Sequence, residues 1–393
     1  MQAVQADLLA YLALLFTLLA RRADKRKHPN APHSWRKLQL LTRLGWVNVT
    51  LPYRPKHEYA LCEALAIQGK TTPDAHALIA RCGALSGSFK EAADTCERLA
   101  GVALSPYKQR AITLAAGANA YAASQHPAPG SDVRTYEKPP PGAVTKVKRT
   151  LVGMADGGSA PCCKADTQDV KGKDGEASTR QIRAGLFGEY EWLDADGRPL
   201  FYEDSFSYFV CGGDIADFTV QLKRNGLSRG SNTVARLHGL ADGEPALEAA
   251  FRDAFPRAEF TNDFYHAAEH LHACLVALLP DAGARSTEFQ LCRMLLKRNG
   301  AGTVAGRLRR VYASQLGACA EAVGHLDYLE KRAGNMRYGA LRKRGMLIGT
   351  GHVEAAIRML VVRRMKQAGM HWRHINAVYV AALHAQYRST LAA

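Results

Sequence analysis

This chain lacks the paired cysteines of a zinc ribbon or a disulfide framework. Its nine cysteines are odd in number, and no two of them have Cys-x-x-Cys spacing. Without such spacing, cysteine supplies neither a structural zinc site nor a predictable set of crosslinks. The adjacent Cys162 and Cys163 are interpreted as plain thiols. Cysteine usage therefore favours a reducing compartment.

The chain also has no hydrophobic run of membrane length near its start. The apolar segment from Leu8 to Ala20 follows Asp7 and ends at Arg21. A membrane-spanning helix needs roughly 20 apolar residues, and a signal peptide has a basic segment before its apolar run. The segment is therefore predicted to be a buried or dimer-forming helix, and no membrane partner is expected.

Acidic residues are scarce toward the C-terminus, where Glu354 is the sole Asp or Glu after Lys331. The whole chain carries a formal net charge of +16, which favours a polyanionic partner, with nucleic acid as the first candidate. Basic ribosomal or membrane-surface proteins have similar charge, and charge says nothing about chemistry. A lone carboxylate in such a basic segment is instead typical of a metal ligand held beside a phosphate backbone.

Composition divides the chain into segments. Residues 124–143 are rich in Pro and Gly, and Pro139-Pro140-Pro141-Gly142 holds neither a helix nor a central strand. Before this segment, a strand is predicted at Trp46–Thr50 and helices are predicted to begin near Thr72 and Ser86. The predicted organisation is an N-terminal DNA-binding or dimerisation domain at 1–123, a linker at 124–145, a catalytic core at 146–266, a helical insertion at 267–345, and C-terminal helices at 346–393 that complete the core.

The elements after the linker are predicted in the order βββαβαβ, followed by a helix that begins near His352. This order is that of the ribonuclease H-like (retroviral-integrase-like) α/β fold, here with a helical insertion and a mainly helical N-terminal domain. The predicted strands are Lys146–Ala155, Arg180–Leu193, Pro199–Cys211, Val234–Leu240 and Glu259–Phe264, and the predicted helices between them are Ile215–Arg224 and Pro245–Phe255.

Three acids fall at the places where such a fold assembles a site. Asp156 is predicted to end the first strand, Asp242 a later strand, and Glu354 to lie on the first turn of the final helix. Two carboxylates brought together repel each other unless a divalent cation lies between them. Their oxygens suit Mg²⁺ or Mn²⁺, and the predicted chemistry is two-metal phosphoryl transfer. The alternative is that each Asp-Gly pair is an ordinary turn.

Several motifs resemble those of a known family, the DDE insertion-sequence transposases of the ISKra kind, which are distantly Mutator-like. The resemblance extends from about Leu40 to Tyr387. The motifs are Ala241-Asp242-Gly243, Phe255-Pro256, Asp263-Phe264-Tyr265-His266-Ala267-Ala268-Glu269-His270-Leu271, Gly349-Thr350-Gly351-His352-Val353-Glu354, Gly369-Met370-His371-Trp372, and the weaker Asp156-Gly157-Gly158.

The resemblance implies a catalytic triad of Asp156, Asp242 and Glu354, and it matches Asp263 and His266 to an Asp-x-x-His signature. It implies a transposase that cuts insertion-sequence ends and joins the 3′-hydroxyls to target DNA with Mg²⁺ or Mn²⁺. Expected partners are double-stranded DNA and a second copy of the chain, as a homodimer or larger oligomer. A bacterial, cytoplasmic, nucleoid-associated protein is expected. The alternatives are a structure-selective nuclease without strand transfer and a transposase-derived DNA-binding protein.

Several residues have two possible interpretations. His266 could hold the active-site loop or contact phosphate, or it could simply lie at a helix start. Relatives often carry a zinc ribbon in the N-terminal domain, whereas only Cys62 lies near the expected place here, so binding there is predicted to use Arg21–Lys27 and Arg36–Arg43. The predicted DNA-binding residues near the C-terminus are Arg358, Arg363, Arg364, Lys366 and Trp372. The alternative for the four basic residues is a solvated helix face. The alternative for Trp372 is a tryptophan of the core.

Overall fold

The computed structural model describes residues 2–29, 34–53, 59–168, 170–172 and 175–391. The chain folds as two compact units. The first comprises Met1–Tyr121 and Tyr379–His384, and the second comprises Ala122–Val378 and Ala385–Ala393. In the described part of the chain, no helix is both long enough and apolar enough to cross a membrane.

The first unit is a long helix packed on a β-hairpin, followed by shorter helices. Leu40, Val47 and Ala20 belong to the buried core between hairpin and helix. The predicted strand at Trp46–Thr50 lies within the second hairpin strand, whereas the first strand was not predicted. The elements are α1 (Gln2–Lys27), β1 (Ser34–Thr42), β2 (Gly45–Tyr53), α2 (Ala60–Ala64), α3 (Pro73–Leu85), α4 (Phe89–Ala100) and α5 (Pro106–Gln125), the last of which continues into the second unit.

The second unit is built on a mixed six-stranded sheet, which confirms an α/β class. Its strand order is β10-β9-β3-β6-β7, and β8 also pairs with β6. Strand β3 is parallel to β9 and antiparallel to β6, and β9 is parallel to β10. The strands are β3 (Thr145–Pro161), β4 (Lys171–Gly172), β5 (Gly175–Glu176), β6 (Thr179–Leu193), β7 (Pro199–Phe201), β8 (Ser207–Cys211), β9 (Leu237–Ala241) and β10 (Glu259–Asn262), with β4 and β5 forming a separate hairpin.

Helices cover both faces of this sheet. On one face, Phe218 of α6 and Phe251 of α7 pack with Ala155 in one buried cluster. On the other face, the segment around Ile357 packs on β3 at Gly158, where an added Cβ would come within 3.0 Å of the Ile357 side chain. The helices are α6 (Ile215–Ser228), α7 (Pro245–Ala254), α8 (Phe264–Leu278), α9 (Ala282–Arg298), α10 (Ala301–Val311), α11 (Ala313–Ala318), α12 (Ala320–Lys331), α13 (Tyr338–Lys343), α14 (Gly351–Ile357), α15 (Arg363–Met365) and α16 (His374–Leu391).

The segment predicted as a helical insertion is helical. Helices α8 to α13 share a hydrophobic core of their own, in which Leu271, Leu296 and Leu326 are fully buried. The described residues between α8 and α14 contain no strand. The helix predicted to begin near His352 begins at Gly351 as α14, continues through a π-helical turn at Arg358–Val362, and ends as α15.

Four predicted strand boundaries are wrong. Strand β9 begins at Leu237 rather than at Val234. Strand β3 does not end at Ala155 but continues to Pro161, because β6 supplies pairing partners for each residue from Thr150 to Pro161. The run Pro199–Cys211 is two strands, because the Ser205 hydroxyl accepts the Glu189 N–H at 2.9 Å in place of a ladder bond. Strand β10 ends before Phe264, since Asp263 caps α8.

Candidate functional site

Three aspartates lie at the same edge of three adjacent parallel strands. Asp156 follows Ala155 on β3, and Ala155 pairs with Ala241, which immediately precedes Asp242. Ala241 also pairs with Asn262, which immediately precedes Asp263. The Asp263 N–H donates to the Ala241 carbonyl at 2.9 Å. The strand register therefore places the three acids side by side along this edge, although Asp156 is still within its strand.

Electrostatics link Asp156 to the other acids of the site. Burial, together with the negative charges of Asp242, Glu354 and Glu244, raises the pKa of Asp156 to about 6. The Gly157 N–H donates to Asp156 Oδ1 at 2.7 Å, and this hydrogen bond acts in the opposite direction by favouring the ionised form. Asp156 is thus close enough to both Asp242 and Glu354 for their charges to affect its ionisation.

Glu244 is a fourth acid at this edge that was not predicted. Its backbone N–H donates to Asp242 Oδ1 at 2.9 Å, so the two residues share one tight turn. The sequence does carry a signal for it, since Glu244 follows Asp242 by two residues. The carboxylate was overlooked because it precedes Pro245 and belongs to no motif.

Helix α12 holds the turn after Asp242. The Tyr328 hydroxyl donates to the Asp242 carbonyl at 2.9 Å, and Arg332 donates to the Gly243 carbonyl at 3.0 Å. Gly243 has a φ of +104°, and an added Cβ there would lie 2.1 Å from the Tyr328 hydroxyl oxygen. Only glycine fits this position, because any side chain would meet both backbone strain and a collision. Nothing in the sequence links Tyr328 to Asp242, since 86 residues separate them.

Asp263 connects the sheet to the helix that carries Glu354. Its side chain is buried, and its two oxygens accept the backbone N–H groups of His266 and Thr350, each at 2.6 Å. The Thr350 hydroxyl donates to Glu354 Oε1 at 2.9 Å. Asp263 therefore fixes both the start of α8 and the loop that positions Glu354.

The side chain of His266 lies at one end of a row of rings. Its Nδ1 is 3.3 Å from Glu269 Oε2, and its ring centroid is 5.2 Å from that of His270. His270 stacks on Tyr328 at 3.7 Å. Burial, then the charges of His266, His325 and Arg332, lower the pKa of His270 to about 4. The row connects His266 to the residue that holds the Asp242 turn, which fits a supporting role for His266.

The predicted DNA-binding residues near the C-terminus separate into two groups. Arg358, Arg363 and Lys366 are exposed, whereas Arg364 and Trp372 are buried. The Arg364 guanidinium lies 5.1 Å from the Trp372 ring centroid, and the indole N–H donates to the Met365 carbonyl at 3.3 Å. Burial favours the alternative of a core tryptophan for Trp372, whereas the buried Arg364 fits neither the DNA-contact nor the solvated-face interpretation.

The basic segments of the first unit lie at the end of α1 and along β1. The Arg21 guanidinium lies 4.9 Å from the Trp35 ring, and that of Arg36 lies 3.7 Å from the Tyr53 ring. Cys62 carries a reduced thiol rather than a disulfide bond. Within the described ranges, no three His, Cys, Asp or Glu side chains converge on one point as a metal site requires.

The chemistry of the donors at the Asp156 edge nevertheless fits a divalent cation. Asp156, Asp242 and Glu354 offer carboxylate oxygens, which hard cations such as Mg²⁺ prefer. The neighbouring negative charges that raise the pKa of Asp156 are the charges that a bound cation would neutralise. Neither the protein-family models nor the curated proteins include a match to the chain.

Proposed function

We propose that the chain is a metal-dependent DNA transposase of the DDE kind, with a ribonuclease H-like core in its second unit. The observation that carries the proposal is the register of β3 and β9, which aligns Asp156 with Asp242, together with the electrostatic effect of Glu354 on Asp156. Acids that come from two strands and a distant helix thus make the surroundings of Asp156 negative, and a divalent cation used for phosphoryl transfer would neutralise this charge.

The order of the sheet supports the fold part of the proposal. The first long strand of the second unit, β3, is central, with the antiparallel β6 on one side and the parallel β9 and β10 on the other. The helices α6 and α7 connect the later strands, and α14 packs against β3. This order and these directions support a ribonuclease H-like core, in which α8 to α13 would be an insertion before the last helix.

The residues of the site have separable roles in this proposal. Asp156, Asp242 and Glu354 would hold Mg²⁺ or Mn²⁺, which when bound activates a water or 3′-hydroxyl and stabilises the leaving oxygen. Asp156 has to be ionised to take part, and the Gly157 N–H favours that state. Asp263 positions Glu354 through Thr350. The exposed Arg358, Arg363 and Lys366 would contact DNA phosphates without reading sequence.

The test is an assay of the native chain on duplex DNA that carries the ends of its own element. With Mg²⁺ we expect strand cleavage and joined products, and with EDTA neither, because the carboxylates alone have no electrophile to offer. Cleavage without joined products would favour the structure-selective nuclease. DNA binding without any cleavage would favour the transposase-derived binding protein and would contradict the proposed activity.

We also propose that α1 joins two copies of the chain. One face of α1 packs on the hairpin through Leu12 and Phe16, yet the opposite face exposes further apolar side chains, which are Leu8, Tyr11, Leu14, Leu15 and Leu18. An exposed apolar stripe of this kind is typical of a protein interface. Strand joining at two element ends needs at least two active sites, which a dimer would supply.

Introducing charge into this stripe is expected to separate the copies. The double substitution Tyr11→Glu and Leu18→Glu should convert a dimer to a monomer in sedimentation equilibrium, because two carboxylates would have to be buried without partners. The matched control is Ala10→Glu, on the flank of the same helix, which should leave the dimer intact. A native chain that is already monomeric at micromolar concentration would contradict the proposal.

A further inference from the structure

A second charged surface lies at the edge of the sheet opposite the carboxylates. Leu237 begins β9 and Glu259 begins β10, whereas the acids follow the last residues of these strands. The turn after Leu193 lies at the same opposite edge, because Leu193 pairs with Thr145, the first residue of β3. With a rise of about 3.3 Å per residue, even the short β9 separates the two edges by more than ~10 Å.

The first part of this surface is a cavity of about 760 Å³ at the start of β9 and β10. Four cationic side chains line it, and Glu259 is the one carboxylate in the lining. Glu259 already forms an ion pair with Arg344. The lining therefore keeps an excess of positive charge. The four cations are Lys148, Arg236, Arg257 and Arg344.

The second part is a cavity of about 430 Å³ between the turn after β6 and helices α9 and α13. Its lining includes four cations, which are Lys297, Arg298, Arg342 and Lys343. The one lining carboxylate, Asp196, forms an ion pair with Arg198 at 3.1 Å. This cavity, too, carries an excess of positive charge.

The end of α13 joins the two cavities. Arg342 and Lys343 line the smaller cavity, and the next residue, Arg344, lines the larger one. Arg236, which also lines the larger cavity, donates to the Arg344 carbonyl at 3.3 Å. This hydrogen bond holds Arg236 next to the end of α13. The two sets of cations are therefore adjacent at the end of α13, and we call the eight cationic residues of the two cavities the opposite-edge band.

The positive charges of the opposite-edge band help to lower the pKa of two titratable groups. Burial, then the charges of Arg342, Arg293 and Arg198, lower the pKa of Lys297. Burial, then the charges of Arg236 and Arg344, lower the pKa of His238 to about 3. Cations held close together in this way repel one another, and a bound polyanion would remove the repulsion.

We propose that the opposite-edge band binds the phosphodiester backbone of a second segment of duplex DNA, apart from the segment that lies at the carboxylates. A small anion would occupy a single cavity, whereas a backbone with regularly spaced phosphates can engage cations along the whole band. The inference rests on the proposed function only in taking DNA as the partner. It requires neither cleavage nor metal.

The test compares two triple variants of equal charge. The first is Lys148→Gln, Arg257→Gln and Lys343→Gln within the band, and the second is Lys138→Gln, Lys164→Gln and Lys223→Gln at exposed positions elsewhere in the second unit. The affinity of each for a labelled duplex is measured without Mg²⁺ over a series of salt concentrations. Loss of three phosphate contacts should reduce the slope of log K against log salt by about 2 to 3.

The outcomes separate this inference from the proposed function. A smaller slope for the band variant alone, with the control like the native chain, supports the inference. Equal slopes for the two variants would overturn it and leave the transposase proposal standing. A slope that changes only on duplex RNA would overturn the assignment to DNA. A native chain that binds no duplex at all would overturn both, and thermal melting confirms that each variant is folded.

Discussion

Replacing Asp156 by Asn is expected to abolish DNA cleavage while making the metal-free protein more stable. The carboxylate lies among the negative charges of Asp242, Glu244 and Glu354, and its pKa is raised to about 6 from an ordinary value of 3.8. The loss of a ligand that contributes several kcal/mol should reduce the cleavage rate by roughly 10³-fold or more. The same substitution removes a partly buried negative charge, which destabilises the folded chain because other negative charges lie nearby.

The sign of the stability effect follows from proton linkage. Between pH 4 and 6 the unfolded chain has already lost the Asp156 proton while the folded chain keeps it, so the free energy of unfolding falls as pH rises through this window. Above pH 6 the loss is complete and amounts to about 3 kcal/mol at most. We therefore expect Asp156→Asn to stabilise the chain by roughly 1–3 kcal/mol at pH 7.5 and not at all below pH 4.

Denaturant unfolding at several pH values, with and without Mg²⁺, measures this effect. The control is Asp253→Asn, an exposed acid near the end of α7, which should change neither cleavage nor stability. Mg²⁺ should reduce the advantage of Asp156→Asn, because the cation stabilises the native carboxylates. An Asn variant that cuts DNA at the native rate would remove Asp156 from the catalytic site.

Local patterns in the sequence predicted the elements, but not the contacts that close the site. The Asp242-Gly243 pair was correctly read as a turn after a strand, because a residue with positive φ needs glycine. The same logic failed at Asp156-Gly157-Gly158, where the glycines lie within β3. There, a Cβ added at Gly157 would lie 2.6 Å from the Gln181 side chain, and a Cβ added at Gly158 would lie 3.0 Å from the Ile357 side chain. These glycines permit close packing, a role that sequence alone does not distinguish from a turn.

Long-range partners account for the remaining differences. Tyr328 supports Asp242 from a helix 86 residues away, and aromatic residues in a helical pattern predict only a core position. In the basic segment after Glu354, the π-helical turn at Arg358–Val362 shifts the helical period, and Arg364 is buried against Trp372. The sequence predicted that Arg358, Arg363, Arg364 and Lys366 all lie on the DNA path or on a solvated face, whereas tertiary packing buries Arg364.

Asp263 is expected to be the residue whose loss harms both the fold and the activity. In Asp263→Ala, the part-buried backbone N–H of His266 and the buried backbone N–H of Thr350 lose their acceptor. Each buried donor left without a partner costs about 1–3 kcal/mol, so we expect a loss of roughly 2–4 kcal/mol in the free energy of unfolding. Thr350 would also no longer hold Glu354 in place, and cleavage should fall by roughly 10²-fold, as for other misplaced catalytic groups.

The response to Mg²⁺ distinguishes a positioning role for Asp263 from metal binding. Asp263→Asn keeps one acceptor oxygen for the start of α8, so it should be more stable than Asp263→Ala and still cut slowly. If Asp263 acts through Thr350 and Glu354, the variant should have a lower maximal rate at a nearly native half-saturating Mg²⁺ concentration. A large rise in that concentration, with stability unchanged, would instead make Asp263 a metal ligand.

The matched control for Asp263→Ala is Asp281→Ala. It removes a comparable helix cap, because the Asp281 side chain accepts the Ala284 N–H at the start of α9. It should cost about 1 kcal/mol of stability and leave cleavage intact, because no catalytic residue depends on that helix start.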